Sequence, residues 1–191
     1  MFQSLVMNLA PFEIKTSHLT IAGLKNASVE GKPVIALHGW LDNAASFSLL
    51  SEYIESDRPF FAIDLPGHGL SEHRSASSSY HLLENIVDVL AFADALAAYG
   101  INAQQVTLVG HSLGGIIASL VAAASPERVD KLILLDSMGP ITDETVNVLP
   151  QLRKAIAKAS QIKSKVTIFP GSVHLSPCFL ITSSLTGKVE L

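Results

Sequence analysis

The sequence predicts an α/β protein built on a mostly parallel sheet flanked by helices. Three observations predict it. Short apolar runs rich in β-branched residues alternate with longer segments of helical spacing, the rhythm of successive βα units. The apolar runs are continuous rather than alternating, as strands buried on both faces require. Of the 191 residues 48% are hydrophobic, with a mean hydropathy of +0.38. A chain of that size and composition buries a core as one domain and is too apolar for disorder.

The elements follow in order. Residues 12–18 and 19–25 read as two early strands forming an antiparallel hairpin. Residues 34–37 form a continuous apolar run closed by His38-Gly39, so they read as a buried strand; residues 43–54 then have helical spacing. Residues 60–63 are a second buried strand, closed by Asp64-Leu65-Pro66-Gly67, and 75–79 are a short polar loop. A long helix is predicted over 80–99, with Leu82, Leu83, Ile86, Leu90 and Ala93 on its apolar face and Gly100 suited to its C-terminal cap. Residues 106–109 are the third parallel strand and 113–124 the helix after it, which Ser125-Pro126 stops. Residues 131–135 are the fourth. After Pro140 the rhythm breaks: 146–159 read as a helix interrupted by Pro150, 166–169 as a strand, and 172–191 show no pattern.

Several classes are disfavoured. The longest small-apolar stretch, 113–124, is short of the ~20 residues a bilayer requires, so no membrane span is expected. The first eleven residues lack the basic start of a secretory signal, which makes the cytoplasm the expected location. The single cysteine, Cys178, reads as incidental, and no Cys/His metal spacing exists, so no metal is expected. Charge is uneven: residues 1–144 carry 7 Lys and Arg against 16 Asp and Glu, and 145–191 carry 6 against 1. The basic segment 153–165 lacks aromatic residues for base stacking and reads as a solvated helix face, so nucleic acid is not an expected partner. Oligomeric state is open.

The chemistry lies in Gly110-His111-Ser112-Leu113-Gly114, a G-x-S-x-G pattern between a strand and a helix. A chain that reverses this sharply strains its backbone at the serine, and the flanking glycines let strand and helix approach closely. Ser112 is thereby raised on the turn as a nucleophile, with the N-terminal N–H groups of the following helix beside it. Leu37-His38-Gly39-Trp40 closes the first buried strand and would bring a second backbone donor, so the oxyanion-binding N–H groups are assigned to Trp40 and Leu113. His38 and His68 read as loop-bracing imidazoles that exchange no proton.

On these motifs residues 34–136 resemble the α/β-hydrolase superfamily. The stretches from His38 to Phe47, from Asp64 to Gly69 and from Leu132 to Asp136 are particularly similar to the serine hydrolase-like proteins within it. The resemblance implies an α/β-hydrolase fold with a core over 1–140, and the start of a cap with an irregular tail over 141–191. It also implies a cofactor-free serine hydrolase acting on a small ester or related acyl bond. Serine rather than aspartate at the elbow points away from haloalkane dehalogenases and epoxide hydrolases.

The family order is Ser, then Asp or Glu, then His. Beyond Glu144 the sole carboxylate side chain is Glu190, and beyond Ser112 the sole histidine is His174. An internal triad therefore needs Asp136, Asp143 or Glu144 with His174; Asp136, at a strand end, and His174 are the candidates. The simpler expectation is truncation, with the family's cap and late strand-helix units incomplete. The alternative function is then a catalytically impaired hydrolase-like protein lacking a proper acid and base, because a serine without its base is a poor nucleophile.

Overall fold

The computed structural model describes residues 9–54, 57–75, 77–78, 80–137 and 180–183. The chain divides into two units, Met1–Gly139 with Cys178–Leu191, and Pro140–Pro177; the description concerns the first. The helix expected over 146–159 and the strand over 166–169 lie outside the described residues.

Two strands, β1 (Ala10–Lys15) and β2 (Thr20–Lys25), form the antiparallel hairpin, in a register pairing Ala10 with Lys25 and Lys15 with Thr20. The reversal begins earlier than the apolar pattern predicts. The Thr16 hydroxyl accepts the N–H groups of His18 and Leu19, at 3.1 Å each, and draws 16–19 into a turn.

Strands β3 (Val34–Leu37) and β4 (Phe60–Ile63) keep their predicted bounds, while β5 (Val106–His111) and β6 (Val129–Leu135) each run two residues further. These four are parallel, in the spatial order β4-β3-β5-β6. The hairpin joins through β2, antiparallel to β4. On the other side β7 (Leu180–Ser183) adds antiparallel to β6, pairing Leu132 with Ser183. The sequence of 172–191 carries no alternation that would announce β7, so this strand is an addition to the expected set.

The strands are apolar throughout because they bury both faces. Ile35, Leu37, Ile63 and Leu108 belong to one side of the core, shared with helices α2 (Leu82–Ala95) and α3 (Leu113–Ala124). There Phe12, Phe61 and Phe92 meet ring to ring, at 5.4–5.8 Å between centroids. Val34, Ala36, Phe60, Ala62 and Val109 belong to the other side, against Ala44 and Phe47.

Two predicted helices are broken up. Over 43–54 the chain forms a 3₁₀ turn (Ala44–Phe47), started by the Asn43 side chain accepting the Ala45 N–H, and a single turn, α1 (Ser48–Ser51). The long helix begins at Leu82, where the Glu84 carboxylate accepts the His81 N–H at 3.1 Å. Its last turn tightens to 3₁₀ over Leu96–Tyr99, and Gly100 closes it with a left-handed φ of 76°.

Candidate active site

Ser112 alone makes the turn from β5 into α3. Its backbone lies at φ 49°, ψ −113°, outside the regions open to residues with a side chain, at a cost of about 1–3 kcal/mol. Hydrogen bonds over-determine it. Its N–H donates to the Leu135 carbonyl at the end of β6, 3.1 Å away, and its own carbonyl accepts from Gly115 and Ile116 at 3.0 and 3.2 Å. The side chain is exposed and makes no capping bond to its own helix. The glycines allow the approach: a Cβ on Gly110 would strike the Gly114 carbonyl oxygen, and one on Gly114 would strike the carbonyl oxygens of Leu37 and His38.

The loop after β3 comes to the same place. A Cβ on Gly39 would stand 3.4 Å from the Ser112 Cβ and 3.2 Å from His111 Nδ1. Gly39 begins a turn closed by the Asp42 N–H on the Gly39 carbonyl, 3.3 Å, and Leu41 inside it takes a left-handed φ of 59°. Trp40 and Leu41 are exposed, at 66% and 77%.

The loop after β4 holds this turn. Buried Asp64 accepts the N–H groups of Ala44 at 2.7 Å and Leu70 at 2.9 Å, one from each loop. Ser71 Oγ donates to the Asp64 carbonyl at 2.6 Å and accepts the Ala22 N–H at 2.9 Å. The two histidines cross between the loops. His38 Nε2 accepts the Leu65 N–H at 2.9 Å, and His68 Nε2 accepts the Leu41 N–H at 3.3 Å. Their rings lie edge to face at 5.1 Å, and Trp40 meets His68 at 5.5 Å. With Nε2 as acceptor the His38 proton sits on Nδ1 and is donated to the Gly39 carbonyl at 2.7 Å. Burial holds the His38 pKa below the ordinary imidazole value, the Gly39 carbonyl and the carboxylates of Asp64 and Asp42 pulling the other way and the His68 charge lowering it further. These bonds fit the bracing role expected of both imidazoles, but sequence reasoning missed that each serves the other's loop.

A second clasp went unseen in the sequence. Arg74, just before the polar loop, reaches Asp88 on α2, while its Nε lies 3.4 Å from the Glu84 carboxylate. Its backbone N–H donates to the Tyr80 hydroxyl at 2.8 Å. Burial raises the Asp88 pKa, with Arg74 and His18 opposing the rise.

Of the predicted residues, the fold brings Ser112, Leu113 and the Gly39-Trp40 loop together. Asp136 follows Leu135 directly, exposed and with a left-handed φ of 48°. His174, Asp143, Glu144 and Cys178 lie outside the described residues, as does the basic segment 153–165. Two open grooves, of about 660 and 450 Å³, lie along α2; neither is lined by Ser112, Trp40 or Leu113. Among the described residues no His, Cys, Asp and Glu cluster could hold a metal, and no helix is long and apolar enough to cross a membrane.

Comparison with known proteins identifies the fold family. The profile of the alpha/beta hydrolase fold family matches residues 32–161. A serine hydrolase-like protein of Homo sapiens is 37% identical over 148 residues, covering 75% of this chain and 70% of that protein. A protein of the same description from Danio rerio is 37% identical over 126 residues, 66% of this chain and 37% of the relative. Among solved structures, a hypothetical protein of Pseudomonas aeruginosa PAO1 superposes with a TM-score of 0.73 at 37% identity, covering 82% of this chain and 53% of the other. This chain thus spans little more than a third of the Danio rerio relative and about half of the Pseudomonas chain.

Proposed function

Because the chain belongs to the alpha/beta hydrolase fold family, we propose that it is a serine hydrolase of the esterase type, acting on a small ester or related acyl bond. Ser112 Oγ attacks the acyl carbon and the C–O bond to the alcohol breaks. The alcohol leaves with a proton, and water then hydrolyses the acyl-enzyme, restoring the Ser112 hydroxyl and releasing the acid. The N–H groups of Trp40 and Leu113 take the negative charge that develops on the carbonyl oxygen. Asp136 and His174 are the acid and base of this reading.

One observation carries it. A residue with a side chain is held at φ 49°, ψ −113° on a strand-to-helix turn, exposed, with the Gly39 loop against it. Backbone strain of this size persists where a site uses it. The described histidines of the front loops support placing the base elsewhere, since the Nε2 atoms of His38 and His68 are already engaged.

The test is labelling of the full chain by a fluorophosphonate probe, beside Ser112→Ala. Labelling of the parent alone is expected; equal labelling of both would sink the nucleophile. Hydrolysis of a short p-nitrophenyl ester then separates two forms of the function. Turnover lost in both Ser112→Ala and His174→Ala assigns the base to His174. Slow turnover that needs Ser112 but not His174 assigns the impaired form, an elbow working with its oxyanion donors alone.

A further inference from the structure

The crossed histidines raise a question that loop bracing does not answer: what keeps Leu41 in a left-handed conformation? For an L-residue that conformation costs about 1–2 kcal/mol. Leu41 is 77% exposed, so packing of its side chain does not repay the cost. Two hydrogen bonds act on the turn, Asp42 N–H to the Gly39 carbonyl and Leu41 N–H to His68 Nε2, both 3.3 Å. The first closes the turn; the second comes from a different loop.

We propose that His68 is the positioning residue of the oxyanion-binding turn: its Nε2 lone pair holds the Leu41 N–H and so fixes the neighbouring Trp40 N–H beside Ser112. The catalytic consequence rests on the serine hydrolase reading above; the hold on Leu41 does not. The ring is placed for this task. His38 and Trp40 stand against it at 5.1 and 5.5 Å, and Nδ1 faces the Pro66 carbonyl at 3.4 Å, where it can carry the proton. An imidazolium has two N–H donors and no acceptor, so protonation removes the hold. The charged groups that act on His38 are His68, Asp64 and Asp42. Both carboxylates are engaged already, Asp64 by two backbone N–H groups and Asp42 by the Ser46 hydroxyl at 2.6 Å.

The experiment follows amide hydrogen exchange at Leu41 in the full chain by NMR, as protection factors corrected for the intrinsic rate. His68→Phe keeps a ring and removes the acceptor; His68→Gln supplies an acceptor of similar reach. Protection of Leu41 is expected to fall about tenfold in His68→Phe, the size of one hydrogen bond, and to return in His68→Gln, with the Ile35 and Val109 amides unchanged. Leu41 protection that ignores the substitution overturns the proposal, and if His68→Phe does not fold, His68→Leu, which also lacks an acceptor, decides. The rate of fluorophosphonate labelling at Ser112 should fall and recover with Leu41. Labelling that stays fast in His68→Phe while Leu41 is released overturns the positioning role. Absence of labelling in the parent, with Leu41 responding as described, condemns the serine hydrolase reading and leaves the hold standing.

Discussion

Gly114 and Leu37 touch backbone to backbone: the Gly114 α-carbon faces the Leu37 carbonyl oxygen so closely that no Cβ could stand between them. The first turn of α3 is therefore seated on the end of β3 as well as on β5, and the serine before it has no room to move. Gly114→Ala should destabilise the fold by about 3 kcal/mol through overpacking against main chain, which cannot rotate away. Urea unfolding checks this, and a midpoint equal to the parent's would mean that the contact relaxes freely.

Ser112→Gly should do the opposite to stability. The left-handed backbone at φ 49° is open to glycine, so the strain is released, and part of the gain is offset by the freer unfolded chain. A net gain of about 1 kcal/mol is expected in urea, together with complete loss of fluorophosphonate labelling. A less stable Ser112→Gly protein would show that the turn is not strained.

Stability should depend on His38. The folded state keeps this imidazole neutral because burial disfavours its charge. Below about pH 6.5, the ordinary imidazole value, the unfolded chain takes up a proton that the folded chain refuses, so stability is full above that pH and falls as the pH drops towards the folded value. The slope contributed by one proton reaches about 1.4 kcal/mol per pH unit. Denaturation midpoints between neutral and mildly acid pH should show the fall in the parent and a shallower one in His38→Gln. Parallel pH profiles for the two would remove His38 as the source.

Arg74 and Asp88 offer a double-mutant cycle. The Arg74 side chain is 13% exposed and that of Asp88 5%, so removing one leaves the other charged and desolvated. Arg74→Met should cost about 3 kcal/mol, and the double variant Arg74→Met with Asp88→Leu should cost less than that single change. Additive losses would show that the two side chains act independently.

Much of this was legible in the sequence for one physical reason. Strands buried on both faces leave continuous apolar runs, which is why 34–37 and 60–63 were read to the residue. The serine elbow was legible because glycines record where backbones must touch, and Gly110 and Gly114 do. Side-chain bonds to the main chain left no such record. Thr16 moved the hairpin turn by capturing two N–H groups, a bond that hydrophobic periodicity does not encode. The last strand, β7, pairs with residues nearly fifty positions away, and nothing local in Leu180–Ser183 announces its partner. The roles of His38 and His68 needed the sheet itself: only once β3 and β4 are known to be parallel neighbours do the two histidine loops face each other.

That parallel pairing has a consequence for any attempt to re-engineer the front of the molecule. Leu37 stands opposite Ile63, and the loops run on from there with the same stride, so His38 reaches Leu65 just as Leu41 reaches His68, each across 27 positions. Loop length is therefore a shared property. Inserting one residue between His38 and Leu41, or between Leu65 and His68, would put the two rungs out of step and could satisfy one only by forfeiting the other. Segments transplanted here from a relative have to be exchanged as a matched set, both loops at once.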